Sequence, residues 1–273
     1  MTIEKKLNNY LQGELKPISH KSLNRTFIGY SNLFQQKVFV KQFAKKQGWY
    51  TEKKVTEQLN DRVLAALSLD QKYILVLKDT SPKDIDENIT SDIAFKMGQV
   101  LGDFHTRIKP FSKIKIVKDQ FDGYLTEINT FNASTYKRQL LTEAKKFEHH
   151  KKEIQDELLT KSKFVLHGDV GIRNYKYVND KLVLIDFEKA RLGPVYQDFI
   201  KLFYQDFKLN LDLIAAFLRG YSNKNSDYEL SDLTKQYLIF TTAIGIFNYT
   251  EKFEDLPFKQ ISEKMLETLR DGL

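Results

Sequence analysis

Two short stretches near the middle of the chain decide how the sequence is interpreted. Residues 167–174 read His-Gly-Asp-Val-Gly-Ile-Arg-Asn, and residues 184–188 read Leu-Ile-Asp-Phe-Glu. Each adjoins a short apolar run, Phe164–Leu166 in the first case and Leu182–Ile185 in the second, which is typical of a buried strand that ends in a polar loop. The two runs are predicted to pair as a small hairpin, which would bring the two polar loops together.

Three oxygen-bearing side chains would then converge. Asp169 lies in the first loop, Asn174 follows it by five residues, and Asp186 lies at the end of the second strand. Carboxylate and amide oxygens, together with phosphate oxygens, are the ligands that Mg²⁺ prefers. Transfer of a phosphoryl group also needs a carboxylate that orients and deprotonates the attacking hydroxyl. A single loop aspartate is usually a turn former, so the interpretation depends on the three residues jointly.

The pattern His-Gly-Asp-x4-Asn-x11-Asp resembles the catalytic and metal-binding loops of the aminoglycoside phosphotransferase and choline kinase family. The resemblance implies an α+β, protein-kinase-like fold of two lobes. A small amino-terminal lobe would hold an antiparallel sheet, and a larger carboxy-terminal lobe would be mostly helical. The resemblance also implies that Asp169 is the catalytic base and that Asn174 and Asp186 are the magnesium ligands.

Two further positions agree with the family in order and spacing. Lys41 lies in the predicted strand Lys37–Phe43, where the family carries its phosphate-binding lysine, and Glu52 resembles the helix glutamate that pairs with that lysine. Lys37 competes with Lys41, and Glu57 competes with Glu52. An ordinary solvated strand or helix surface would account for each of these charged residues.

The resemblance implies supporting roles near the two loops. Asp198, which follows Gly193-Pro194, resembles an aspartate that supports the catalytic loop. His167 is expected to hold the loop by hydrogen bonds, and His105, at the end of a Leu-x-x-x-His pattern, is expected to be structural. Glu188 stands where protein kinases carry glycine, and it is expected to bind the metal or to support a residue that does.

The nucleotide-covering loop departs from the protein-kinase pattern. It should fall between Ser22 and Phe34, where protein kinases place several glycines and this chain offers only Gly29. Asn24 and nearby backbone N–H groups are expected to hold phosphates instead, as in choline- and thiamine-kinase-like members of the family. ATP or GTP, with Mg²⁺, are the cofactors that the resemblance implies.

The chain is predicted to divide into residues 1–80, a nucleotide-binding lobe, and residues 81–273, a catalytic and acceptor-binding lobe, joined near Lys78–Pro82. In the first lobe the pattern predicts a second strand at Tyr73–Leu77 and a helix over Trp49–Leu67. In the second lobe Ser91 is the predicted N-cap of a helix. Further helices are predicted over Leu211–Arg219, Ser231–Phe253 and Pro257–Leu269.

Composition excludes several other classes of protein. The 273 residues include no cysteine, which excludes a disulfide framework, a thiolate zinc site and an iron–sulfur cluster. The net charge of +7 is scattered, with no run of five basic residues, so a nucleic-acid partner is not expected. The longest apolar run, Tyr237–Phe247, is too short to span a membrane. The first residues lack an apolar stretch long enough for a signal peptide, so a cytoplasmic protein is expected.

These features together predict an ATP- or GTP-dependent phosphotransferase that acts on a hydroxyl group of a small molecule. A cationic acceptor, such as an amino sugar or a quaternary amine, would suit the aromatic residues near the carboxyl terminus and the acidic pair Glu254 and Asp255. Aromatic residues at helical spacing are equally typical of a core. The aromatic residues in question are Tyr221, Tyr228, Tyr237, Phe240, Phe247, Tyr249 and Phe253.

Three alternatives remain open on sequence alone. A protein kinase typically carries His-Arg-Asp, whereas this chain carries His-Gly-Asp. A non-catalytic nucleotide-binding module commonly loses at least one of the residues that stand here as Asp169, Asn174 and Asp186. A basic nucleic-acid-binding protein would usually cluster its positive charge. The sequence identifies neither the acceptor, nor the preferred nucleotide, nor the oligomeric state.

Overall fold

An antiparallel sheet of five strands forms the amino-terminal lobe, in the order β1-β2-β3-β5-β4. The computed structural model describes residues 2–19, 23–86, 88–116, 121–132, 134–161 and 163–271. In chain order the elements of this lobe are α1 (Ile3–Leu11), β1 (Leu15–Ile18), β2 (Arg25–Ser31), β3 (Gln36–Phe43), α2 (Lys46–Leu59), β4 (Val63–Leu69) and β5 (Lys72–Lys78).

The central strand β3 presents different residues to the two faces of the sheet. Val38 and Val40 are buried on the face that packs against α1. Side chains alternate along a strand, so Lys41 lies on the opposite face with Phe43, where Trp49 of α2 packs. The lysine is therefore held beside α2 by the pleat of the sheet.

The helix predicted over Trp49–Leu67 is wrong beyond Leu59. The backbone leaves the helix at Asn60, which is extended, and Val63–Leu69 forms the edge strand β4 paired with β5. Residues 63–67 are all apolar, so their pattern fits a helical stripe and a buried strand equally well. The strand forms because it pairs with β5 through the tight turn at Asp70-Gln71, where both residues have positive φ, 48° and 61°.

Eight helices of the described residues build the carboxy-terminal lobe. A π-helical turn, Leu202–Asp206, continues α7. The bounds are α3 (Ser91–Arg107), α4 (Phe121–Thr130), α5 (Thr135–His149), α6 (Lys151–Lys161), α7 (Gln197–Lys201), α8 (Leu211–Ser222), α9 (Asp232–Thr250) and α10 (Leu256–Asp271). The last three agree with the predicted helices. No helix in the described ranges is long and apolar enough to cross a membrane.

Helix α3 begins where the sequence predicts a helix, with its N-cap one residue earlier than predicted. The Thr90 hydroxyl accepts a hydrogen bond from the Ile93 N–H at 3.3 Å, so Thr90 rather than Ser91 is the cap. Helices α3 and α8 pack backbone to backbone. A Cβ atom on Gly98 would lie 2.0 Å from the Phe217 carbonyl oxygen, which only glycine avoids.

The predicted hairpin between the two apolar runs is wrong. The strand β7 (Phe164–Leu166) pairs with β10 (Arg191–Gly193) instead. The second run forms β9 (Lys181–Leu184), whose antiparallel partner is β8 (Tyr175–Val178). The turn between β8 and β9 is Asn179-Asp180, and both residues have positive φ, 48° and 60°. Asparagine and aspartate favour this tight hairpin geometry. The turn therefore pairs β9 with β8, and the second apolar run does not pair with the first.

A short strand, β6 (Lys83–Asp84), links the lobes. It follows β5 closely in sequence, and Lys83 lies opposite Tyr177 of β8, so it belongs to the sheet of the carboxy-terminal lobe. The predicted division of the chain at residue 80 falls in the segment between β5 and β6 and stays a prediction.

Candidate active site

The loop that follows β7 is held in place by a buried aspartate. Asp198, in the first turn of α7, accepts the His167 backbone N–H at 2.6 Å and the Gly168 N–H at 2.9 Å. Gly168 has φ of +81°, and a Cβ there would lie 2.2 Å from the Lys189 carbonyl oxygen. Glycine is the residue that adopts this backbone without strain. The hydrogen bonds to Asp198 and the backbone conformation of Gly168 together fix the position of the loop that carries Asp169.

Both histidines near this loop serve as hydrogen-bonding supports. The His105 Nε2 lies 3.0 Å from an Asp198 carboxylate oxygen, and its Nδ1 lies 2.7 Å from the Tyr221 hydroxyl. Burial raises the pKa of Asp198, but the hydrogen bond and charge of His105 and the proximity of His167 outweigh it, so the pKa is lowered. Asp198 is therefore a stable anion at the base of the loop.

His167 connects the loop of Asp169 with the strand that leads to Asp186. Its Nδ1 accepts the Asp169 N–H at 3.3 Å, and its Nε2 donates to the Ile185 carbonyl at 2.9 Å. Burial lowers the pKa of His167, although Asp198 and the other nearby carboxylates oppose this effect. A neutral ring protonated on Nε2 satisfies both contacts.

Asp169 lies among three cations, which we call the cation-rich cluster: Asp169, Arg173, Lys189 and Lys201. Its Oδ1 accepts from Lys201 Nζ at 2.8 Å, and its Oδ2 accepts from Arg173 Nη2 at 2.8 Å and Lys189 Nζ at 2.9 Å. Burial raises the pKa of Asp169, but Lys201 and Lys189 outweigh burial and hold it well below its usual range. The carboxylate is therefore ionised and positioned.

A cavity of about 640 Å³ opens beside the cation-rich cluster. Its other walls include Tyr249 of α9, Phe258 of α10 and Asp255, which lies between the two helices. Most of the aromatic residues singled out in the sequence are core residues instead, since Tyr221, Tyr237, Phe240 and Phe247 are buried. Asp169 thus faces a space large enough for a small molecule.

A second group of charges surrounds Lys41, which we call the carboxylate-rich cluster: Lys41, Glu52, Asp186 and Glu188. Lys41 Nζ lies 2.7 Å from Glu52, 2.6 Å from Asp186 and 3.3 Å from Glu188. The three carboxylates each place an oxygen within 4.8 Å of the others. Burial favours neutral Lys41, but the carboxylates outweigh burial and raise its pKa above the usual value. Burial also raises the pKa of Glu52 to about 7, against the opposing effect of Lys41.

The structure distinguishes the predicted residues Lys41 and Glu52 from the alternative candidates on the same strand and helix. Lys41 and Glu52 are buried and in contact, as the resemblance implies. Lys37 is exposed on the same strand, and Glu57 pairs on the helix surface with Lys53 and Lys54.

Asn24 reaches the same cluster from the start of β2. Its Oδ1 accepts the Ala44 N–H at 3.0 Å, and its Nδ2 donates to a Glu188 carboxylate oxygen. Ser22, the first residue of the predicted nucleotide-covering loop, lies outside the described residues. The described part of that loop therefore contacts the carboxylate-rich cluster through Asn24.

The match to known families decides the classification. The profile of the phosphotransferase enzyme family matches residues 40–232, which is more than half of the chain and includes both clusters. The chain belongs to this phosphotransferase family. The predicted resemblance to aminoglycoside phosphotransferases and choline kinases is thereby confirmed. A search of curated proteins finds no match.

Solved structures with the same fold include several small-molecule kinases. Aminoglycoside phosphotransferase APH(4)-Ia, as a thermostable mutant in the apo form, is 11% identical, covers 99% of each chain and has a TM-score of 0.71. The amicoumacin kinase hAmiN, in complex with AMP-PNP, Ca²⁺ and Ami, is 12% identical, covers 99% of this chain and 94% of its own, and has a TM-score of 0.67. Choline kinase LicA from Streptococcus pneumoniae is 17% identical, covers 97% of each chain and has a TM-score of 0.66. At these identities the likeness concerns the fold, and it confirms the predicted two-lobe, protein-kinase-like arrangement.

The donor groups of this phosphotransferase fit a hard divalent cation. The Asn174 Nδ2 donates to the Asp169 carbonyl at 2.8 Å, which orients the amide so that its Oδ1 is the atom to offer a cation. Asp186 has φ of +68°, a left-handed conformation that aspartate adopts more readily than most residues other than glycine. Carboxylate and amide oxygens are ligands that suit Mg²⁺ and Ca²⁺. Asn174 and Asp186 as metal ligands stay a prediction that this chemistry supports.

Three cations of the phosphotransferase were missed by the sequence interpretation. Arg173 lies four residues after Asp169, Lys189 follows Glu188, and Lys201 lies three residues after Asp198. Each is adjacent to, or one turn from, a residue that the resemblance does identify. That proximity in sequence is the only signal that could have found them, and it does not indicate that all three converge on one carboxylate.

Proposed function

We propose that this phosphotransferase moves the γ-phosphoryl group of ATP or GTP to a hydroxyl group of a small molecule, with Mg²⁺ as the metal. One observation carries the proposal. A continuous series of contacts runs from Lys41 to Asp186, from the adjacent Ile185 to His167, and from His167 to Asp169 at the cavity wall. The groups proposed to bind the phosphates and the metal and to orient the acceptor are therefore connected to one another, which supports the proposal.

The residues have distinct roles in this proposal. Lys41, oriented by Glu52, neutralises the phosphate chain, and Asn24 helps to position it. Asn174 and Asp186 would hold the metal, with Glu188 supporting them. When bound, Mg²⁺ supplies charge neutralisation at the phosphate oxygens. His167 and Asp198 keep the loop of Asp169 in place.

Asp169 orients the acceptor hydroxyl toward the γ-phosphorus. A bond forms between the hydroxyl oxygen and that phosphorus, and the bond from phosphorus to the bridging oxygen of the diphosphate breaks. The diphosphate leaves with the bonding electron pair, and the hydroxyl proton passes to Asp169 and then to solvent. Because Lys201 and Lys189 lower the pKa of Asp169 and make it a weak base, it mainly positions the hydroxyl and takes the proton late.

Thermal unfolding with ATP or GTP, each with and without magnesium, tests the nucleotide site. A ligand at about a hundred times its Kd should raise the unfolding midpoint by about 5–11 °C for a chain of this size. A magnesium-dependent rise, followed by transfer of label from γ-labelled nucleotide to a small molecule, is the expected result. No rise with either nucleotide would contradict the proposal, and label on protein acceptors would favour a protein kinase.

A further inference from the structure

The cavity beside Asp169 has an unusual distribution of charge. Among the described residues, three cations share this one carboxylate, and all three line the cavity. The side chains of Arg173 and Lys189 are 69% and 53% exposed, and that of Lys201 is 29% exposed. These cations therefore stand at the surface of the space that an acceptor would enter.

The other carboxylates of the cavity wall are already engaged by backbone donors. Asp206 accepts the Ile172 N–H at 3.0 Å, and Asp255 accepts the Phe258 N–H at 3.0 Å. Burial raises the pKa of Asp206, although the Ile172 N–H, Lys201 and Arg173 oppose that rise. Part of the acceptor capacity of these two carboxylates is thus used by backbone donors of the fold.

An acceptor hydroxyl that hydrogen-bonds to Asp169 comes within reach of the three cations. Oδ1 accepts from Lys201 alone and keeps a lone pair for the hydroxyl, whereas Oδ2 accepts from Arg173 and Lys189. One carboxylate faces three cations here, so the cluster has an excess of positive charge that an anionic acceptor would offset and a cationic acceptor would increase. Lys201 Nζ also lies 5.6 Å from the centre of the Phe258 ring, at the wall of the same cavity.

We propose that the acceptor carries an anionic group, a carboxylate or a phosphate, close to the hydroxyl that receives the phosphoryl group, and that Lys201 and Arg173 bind this group. The inference rests on the proposed function and gives the chemical class of its acceptor. It departs from the cationic acceptor that the aromatic and acidic residues suggest in the sequence. The anionic group does not react: only the hydroxyl oxygen forms a bond to phosphorus, as the diphosphate leaves.

The first test compares acceptors of three charge classes. Hydroxy acids and sugar phosphates, neutral sugars and polyols, and cationic aminoglycosides and choline are assayed for magnesium-dependent nucleotide consumption. Turnover should occur with anionic acceptors, and Lys201→Gln should raise their KM about tenfold or more while leaving the Kd of AMP-PNP unchanged. Lys235→Gln is the matched control, because Lys235 is 28% exposed and ion-paired with Asp232 on α9, away from the cavity.

A second test measures anion binding by the cation-rich cluster and does not require that the acceptor be identified. Inorganic phosphate is titrated into the protein saturated with AMP-PNP and Mg²⁺, so that the nucleotide occupies its own phosphate site. Phosphate should raise the unfolding midpoint of the wild type and of Lys235→Gln, and its apparent Kd should be about tenfold weaker for Lys201→Gln. Competition by glycerate against phosphate then distinguishes a carboxylate-binding site from a phosphate-binding site.

Three results would overturn the inference. They are turnover confined to neutral or cationic acceptors, phosphate binding that is absent from the wild type or unchanged in Lys201→Gln, and a Lys201→Gln effect that falls on AMP-PNP rather than on the acceptor. Failure of the proposed function itself has a different signature, because the wild type would then show no magnesium-dependent shift with nucleotide.

Discussion

The carboxylate-rich cluster surrounds the single lysine Lys41 with three carboxylates, whereas the cation-rich cluster surrounds the single carboxylate Asp169 with three cations, among the residues that the structure describes. One cluster carries an excess of negative charge and the other an excess of positive charge. Each excess of charge supports the partner proposed for its cluster: a metal ion at the first cluster, and an anion at the second.

The largest expected effect comes from removing the single carboxylate of the cation-rich cluster. Asp169→Asn should lower turnover by about 10²–10⁴, the usual scale for a general base, because the acceptor hydroxyl is no longer oriented. Nucleotide affinity should be unchanged, since Asp169 is not part of the carboxylate-rich cluster. Steady-state kinetics and calorimetric titration with AMP-PNP measure the two effects.

Asp227→Asn is a matched control for this variant. Asp227 also bonds two lysines, Lys161 and Lys163, at 2.7 and 2.8 Å, but it lies outside the cavity lining. The Asp227→Asn protein should have the same turnover rate as the wild type. Near-normal turnover by Asp169→Asn would show that the cluster does not act on the hydroxyl.

Removing the single cation of the carboxylate-rich cluster should affect stability. Lys41→Met leaves three carboxylates without their lysine and should lower the free energy of unfolding by about 3 kcal/mol, the lower end of the range for a broken buried ion pair. The lower end applies because Asp186 and Glu188 are 39% and 24% exposed. The double variant Lys41→Met/Glu52→Gln should recover part of the loss, because it removes the most buried carboxylate. Urea unfolding measures these values.

Lys37→Met provides the comparison on the same strand. Lys37 is exposed, so its variant should change the free energy of unfolding by no more than about 0.5 kcal/mol. If Lys41→Met and Lys37→Met lowered the free energy of unfolding equally, the charge imbalance around Lys41 would have no energetic cost. The contrast drawn between the two clusters would then be wrong.

Asp186→Asn tests the metal side of the comparison. It should weaken magnesium-dependent nucleotide binding by at least about 10–100-fold, the range found when even a partner of a metal ligand is removed. Asp180→Asn is the control, since Asp180 is exposed and has φ of 60°, close to the 68° of Asp186. Nucleotide binding measured with and without magnesium distinguishes the loss of a metal ligand from a change in the backbone conformation at residue 186. Undiminished magnesium dependence would remove Asp186 from the proposed ligands.

The smallest expected effect concerns His167, which connects the two clusters. Burial lowers its pKa, so the folded protein keeps the ring neutral, while the unfolded chain binds a proton below about pH 6.5. The stabilisation is present above about pH 6.5 and is lost progressively as the pH falls below that value. His167→Gln should flatten this part of the curve of unfolding free energy against pH. A curve with the same slope in both proteins would show that the ring is protonated in the fold.

Sequence alone identifies those features of the site whose residues lie close together along the chain. The stretch 167–188 carries the predicted catalytic loop and the segment that leads to Asp186 within one local unit, so its residue spacing is informative. Lys41 and Glu52 could be singled out because the resemblance fixes their order, and the structure brings them into contact. Their roles in nucleotide binding stay predictions.

Non-local pairing accounts for what sequence could not show. The strand β7 pairs with Arg191–Gly193, a segment without an apolar run, so nothing in its pattern marks it as a strand. The cation-rich cluster likewise forms only when the loop of Arg173, the segment of Lys189 and helix α7 with Lys201 meet. Their convergence depends on strand pairing and on the hydrogen bonds of Asp198, which no local pattern encodes.

The position of β6 has a consequence for motion between the lobes. Because β5 ends at Lys78 and β6 is already paired with β8, only residues 79–82 connect the two lobes without belonging to either sheet. We expect any relative movement of the lobes to occur about these four residues, because hinges are usually a few loop residues. The ion pair between Lys41 and Asp186 joins one residue of each lobe. If the phosphates of a nucleotide bind Lys41, they replace this ion pair, so the rate of nucleotide association should depend on how often the pair opens.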